Sequence, residues 1–141
     1  MLSLVRFQSA VPNRHGRFPG VFALANGLAH DGLLSHADHR WWESANTAMN
    51  AAYAHPTADD PTAYDPVRHP GATSWFKDPE AAGLIGRARD YLELLDRYGV
   101  PWVELRTRTP GVVHYEDEVQ VVSTAYRFAE HWPFAGRAPR G

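Results

Sequence analysis

Apolar and polar positions change their spacing several times along this chain, and each change marks an element. Residues 2–9, LSLVRFQS, alternate loosely, with Leu2 and Leu4, joined by Val5 and Phe7, suiting a first strand. Pro12 and the run Asn13 to Arg17 read as a loop. From Pro19 the spacing becomes three and four: Phe18, Val21, Phe22, Ala25 and Leu28 form the buried stripe of a helix that Gly32 ends. Ser35 is placed as an N-cap, with Asp38 at the third helical position. A second helix is expected from His36 to about Ala54. It would bury Trp41 or Trp42, Ala45, Ala48, Met49, Ala52 and Tyr53, so that residues 19–54 make a helical hairpin.

Residues 55–74 carry Pro56, Pro61, Pro66 and Pro70, which exclude long regular structure. A connection of this length is expected to be functional or disordered. Tyr64, Val67 and the following Trp75-Phe76 argue that it packs. Asp78-Pro79-Glu80 has the signature of a helix start. The stripe Leu84, Ile85, Ala88, Tyr91, Leu92, Leu95 and Tyr98 continues that helix to Gly99, the left-handed stop. Val100 to Thr107 reads as a strand with Val103 and Leu105 on one side and Trp102, Glu104 and Arg106 on the other. Thr109-Pro110-Gly111 is a turn. Residues 112–124 form one or two further strands, depending on whether Asp117-Glu118 turns the chain.

The expected fold class is α+β, a small mainly antiparallel sheet packed against a helical hairpin and a third helix. Residues 1–124 are taken as a single α+β domain and 125–141 as a C-terminal tail, partly mobile.

Composition narrows the chemistry. The 141 residues contain no cysteine, which removes disulfides, thiolate catalysis and cysteine-bound zinc or iron–sulfur centres. Net charge is −2, so nucleic acid held by bulk charge is not indicated. No run approaches the roughly 18 apolar residues of a membrane span, and the first residues lack a secretory pattern. The expectation is a soluble, cytoplasmic protein with a small-molecule or protein partner. Oligomeric state is not legible.

Three acids, Glu116, Asp117 and Glu118, interrupt valine-rich sequence. If extended, Glu116 and Glu118 share a strand face and form a carboxylate pair that lines a cleft. If turned, they are a solvated hairpin tip. Glu116 and Glu118 are the candidate catalytic acids, and Arg6, Ser74, Trp75 and Tyr115 the candidate binding residues. The site is expected between the acidic segment, the Ser74-Trp75-Phe76 corner and the proline-rich connection.

The order Arg6, then Thr73-Ser74-Trp75, then Glu116-Asp117-Glu118 resembles the Arg…Ser-Thr…Glu-x-Glu layout of some ADP-ribosyltransferases. The resemblance implies NAD as cosubstrate. It implies that Arg6 holds the NAD phosphate and that Ser74 shapes the nicotinamide pocket. Glu118 would grip a ribose and stabilise an oxocarbenium-like state, with Glu116 as substrate activator. Outside that resemblance the residues name no cofactor.

His30, His36 and His39, with Asp31 and Asp38, cluster at the helix–helix turn and could hold a divalent metal. A polar helix start explains the same letters, and no metal is assigned. No Walker, GxGxxG or GxSxG pattern is present.

Overall fold

The structure is a computed structural model that describes residues 3–127. Strand β1 is Ser3–Ser9, followed by helices α1, Val21–His30, and α2, His36–Ala52. A single turn, α3, Pro56–Asp59, precedes β2, Thr73–Asp78. Helix α4, Ala82–Arg97, leads to β3, Trp102–Thr107, β4, Val112–Glu116, and β5, Gln120–Thr124. The five strands form one antiparallel sheet in the order β3-β1-β2-β5-β4. The fold is a small α+β fold, as the spacing of apolar residues predicts. Residues 128–141, most of the expected tail, lie outside the described residues, as does Leu2.

The core lies between one face of this sheet and the helices. Val5, Phe7 and Phe76 meet Leu84, Ile85, Ala88, Tyr91, Leu92 and Leu95 of α4. Val21 and Ala25 of α1 and Met49 of α2 complete it. Phe22 stands edge-on to both Phe76 and Tyr91, with ring centroids 6.3 and 5.0 Å away. Two polar groups at the helix contacts are paired: Trp42 Nε1 donates to Asn26 Oδ1 at 2.9 Å, and the Tyr91 hydroxyl donates to Asn46 Oδ1. Ser35 caps α2 by accepting from the Asp38 N–H at 3.1 Å. Gly32 and Gly99, at φ +70° and +67°, end α1 and α4 as read from the sequence.

Three expectations need correction, and one open alternative is decided. The segment Thr73–Asp78 is a strand in the middle of the sheet, paired with β1 and β5. It is not the end of a loop. Asp78-Pro79-Glu80 is not the helix start: Asp78 pairs with Ser3, its carboxylate binds Arg106 at 2.8 Å, and α4 begins at Ala82 with no side-chain cap. Val67 is 88% exposed, whereas Pro56 and Ala63 are the residues of the connection that are buried. Asp117-Glu118 turns the chain, so residues 112–124 are two strands of a hairpin.

One irregularity of the sheet positions everything that follows. Strands β1 and β2 pair over only three positions, Ser3 with Asp78, Leu4 with Lys77 and Val5 with Phe76. Beyond Val5 the place beside β1 is taken by the chain entering α1. Gly20 bridges to Gln8, and Ser9 N–H donates to Pro19 C=O at 2.8 Å. Strand β2 instead continues along β5, through Ser74 with Val122 and Thr73 with Ser123. The two strands therefore part at Val5 and Phe76 and leave a gap.

Candidate functional site: a cavity where two strands part

A cavity of about 210 Å³ fills that gap. Its strand walls are Val5 to Phe7 and Ser74 to Phe76, and the start of α1, Gly20 to Ala23, closes a third side. Tyr53 and Gln120 complete the lining. Successive strand residues face opposite sides, so Phe76 looks toward the helices and Trp75 away from them. Both reach the cavity because it lies in the opening between strands.

The cavity is largely aromatic. Tyr53 stands edge-on to Phe76 at 5.7 Å, and Phe22 closes on the same ring. Burial pushes the Tyr53 hydroxyl up to about 12, with Tyr64 and Asp117 adding to the effect, so it is a neutral donor at ordinary pH. Trp75 Nε1–H is buried without an acceptor among the described residues. Gln120 is almost fully buried, and its side-chain nitrogen is held by Ala54 C=O at 2.8 Å and Asp117 Oδ2 at 2.9 Å. An acceptor oxygen is left over on this side chain.

Arg6 is the charged residue of the lining. Its Nε donates to Gln8 Oε1 at 2.9 Å, Nη1 to Ser74 C=O at 3.2 Å and Nη2 to Phe18 C=O at 3.3 Å. All three acceptors are neutral, and among the described residues no carboxylate lies within ion-pairing distance. A guanidinium has five N–H donors. With three engaged, one hydrogen remains on each terminal nitrogen. Burial lowers the Arg6 pKa from 12.5, while nearby Tyr64 works weakly against that. The group still carries its charge at neutral pH. Gly20 lies against the guanidinium: a Cβ there would sit 3.4 Å from both Nη1 and Nη2, an ordinary contact distance.

Tyr64 brings the proline-rich connection to this corner. Burial raises its pKa, and Ser74 and then Arg6 pull the other way. The connection is pinned further along the sheet. Tyr115 Oη lies 2.9 Å from Asp59 Oδ2, and the His69 ring stacks on His114 with centroids 3.8 Å apart.

Of the six residues singled out in the sequence, Arg6, Ser74 and Trp75 meet at this cavity. Tyr115 does not line it: burial, then Asp117 and Asp59, push its hydroxyl pKa up in a separate cluster. Glu116 is exposed and pairs with Lys77. Glu118 is exposed on the hairpin turn and does not line the cavity. The extended arrangement that would set the two glutamates on one strand face is therefore not formed. The middle acid has the structural task. Asp117 Oδ1 accepts from Val119 N–H at 2.9 Å and Gln120 N–H at 3.0 Å, closing the turn. Burial opposes its ionisation, but these hydrogen bonds and those from Gln120 and Tyr115 hold its pKa below the usual value.

Tyr53, Phe22 and Gln120 were not singled out by sequence reasoning. Their signals, an aromatic at a helix end and a stripe residue, are those of ordinary core positions. The histidines do not assemble: His39 pairs with Glu43 at 2.8 Å, His30 stands edge-on to Trp42, and the described residues hold no cluster of three metal-ligating side chains. No helix among them is long and apolar enough to cross a membrane.

Set against protein-family models, curated proteins and solved structures, the chain finds no match.

Proposed function

We propose that this protein binds a small organic anion with a planar body. Arg6 holds its carboxylate or phosphate, and Phe22, Tyr53, Trp75 and Phe76 hold the body. One observation carries the reading: a partly desolvated guanidinium at a cavity wall, with two free N–H groups and only neutral partners. Withdrawing a cation from water costs free energy, and an anion that accepts from both terminal nitrogens restores it.

The test is a thermal-shift and calorimetric titration with phenyl phosphate and phenylacetate. Either probe at 100 times its Kd should stabilise the fold by about 2.7 kcal/mol. Arg6→Gln should remove the shift with the far-UV spectrum preserved, and Arg6→Lys should restore it in part. Absence of any shift with the native protein, or an equal shift in Arg6→Gln, would end the reading.

A second reading is ADP-ribosyl transfer from NAD, and one contact favours it: Arg6 and Ser74, distant in the chain, are joined by a hydrogen bond. It also needs Glu118, which lies outside the cavity. NAD should then stabilise the fold, and labelled ADP-ribose should reach an acceptor in the native protein but not in Glu118→Gln. Stabilisation without transfer leaves the binding reading alone.

A further inference from the structure

Arg6 stands on a partition. A second cavity, of about 370 Å³, lies on its other side and is lined by Gln8, Asn13, Arg17, Phe18 and Thr73 as well as by Arg6 itself. Nη1 bonds Ser74, a wall of the inner cavity, and Nη2 bonds Phe18, a wall of the outer one. The outer walls offer donors. Gln8 Oε1 faces Arg6 Nε, which can only donate, so the Gln8 amide NH2 is the end left over. Asn13 Oδ1 accepts from the backbone N–H groups of His15 at 2.9 Å and Arg17 at 3.0 Å, so its NH2 is left over too. Both amide orientations are fixed by their partners. Arg17 forms no ion pair among the described residues, and no acid lines either cavity.

The loop that carries Arg17 is built rather than slack. Asn13 N–H donates to Arg17 C=O at 2.7 Å, and Gly16 N–H donates to Asn13 C=O at 2.9 Å. Gly16, at φ +73°, lets the chain turn there. Asn13 thus fixes the backbone of Arg17 while its own amide stays available.

We infer that the outer cavity is a second anion subsite for the same ligand, so that the ligand carries two anionic groups: one at Arg6, the other at Arg17 with the Gln8 and Asn13 amides. This rests on the binding reading above. The groups are phosphates or carboxylates, since both accept from guanidinium and amide donors. A planar head in the inner cavity, joined to two such groups running outward past Arg6, uses both chambers.

Four probes test it by calorimetry at fixed ionic strength. Phenyl phosphate and phenylacetate carry one anionic group; phenyl diphosphate and benzylsuccinate carry two. The phosphate pair and the carboxylate pair separate the two chemistries. In at least one pair the doubly anionic probe should bind the native protein about tenfold tighter or more, since charged hydrogen bonds are worth that much each. Arg17→Gln should bring that ratio to about one, whereas Arg6→Gln should weaken binding of every probe. A ratio near one in the native protein, or a ratio that Arg17→Gln leaves intact, overturns the outer subsite while single-anion binding upholds the inner one. If no probe binds at all, both fall together.

Discussion

At the scale of single residues, the stacked His69–His114 pair fastens the proline-rich connection to the hairpin. His114 Nε2 lies 2.8 Å from Thr124 Oγ1, and His69 Nδ1 is buried without a partner among the described residues. Burial, then the neighbouring His69, lower the His114 pKa from 6.5. Asp60, Asp65 and Arg68 are the charged groups of the connection close to His69, and the two acids are held below their usual values chiefly by hydrogen bonds from Thr62 and Val67. Because the folded form of His114 takes up its proton less readily than the unfolded chain, unfolding takes up protons as pH falls through 6.5. Stability is retained above that value and lost progressively toward the folded pKa. The Tm should thus decline between about pH 7.5 and 5.5. His114→Phe keeps a flat ring without the titrating site and should decline less; parallel profiles would count against this origin. The same scale shows why the acids were misleading. Three acids in a row are legible, but choosing Asp117 over its neighbours depends on side-chain length, because the shorter carboxylate reaches the N–H groups of Val119 and Gln120.

Among elements, the two helices with unbroken apolar stripes, α1 and α4, were legible together with their glycine stops. The strand β2 was not. Its six residues sit between a proline-rich connection and the sequence Asp78-Pro79-Glu80, which imitates a helix start. Asp78 is drawn into the sheet instead, because Ser3 and Arg106 are there to meet it. The β4–β5 hairpin depends on Gly111 in a way that is also invisible in the letters. Gly111 has φ +117°, and a Cβ there would lie 1.9 Å from the Thr124 carbonyl oxygen. Gly111→Ala should therefore cost at least about 2 kcal/mol, since backbone strain adds to a backbone clash. Gly16→Ala is the control: φ is +73° and a Cβ meets nothing within 4 Å, so about 1 kcal/mol is expected. Urea denaturation of the two variants measures the difference, and equal losses would refute the role given to the Thr124 contact.

For the molecule as a whole, α4 is the element on which sheet and helices converge. Leu95 is fully buried on it, whereas Leu105, on the outer face of β3, is 36% exposed. Leu95→Ala should cost about 2–5 kcal/mol and Leu105→Thr within about 0.5 kcal/mol, both read from chemical denaturation. Comparable losses would mean that the outer face is covered. The sequence by itself determined the fold class, the glycine stops of α1 and α4 and the apolar stripe of α4, because apolar spacing and left-handed glycines act over a few neighbouring positions. It also marked Arg6, Ser74 and Trp75, though not what they make together. Only the tertiary structure decided that β1 and β2 part after three pairs, that Gly20 takes the vacated place, and that Arg6 is left between two cavities with neutral partners. Pairing of β1 with β2 joins residues more than seventy positions apart, and the choice among competing partners is a comparison of whole packings. No local pattern of letters encodes it.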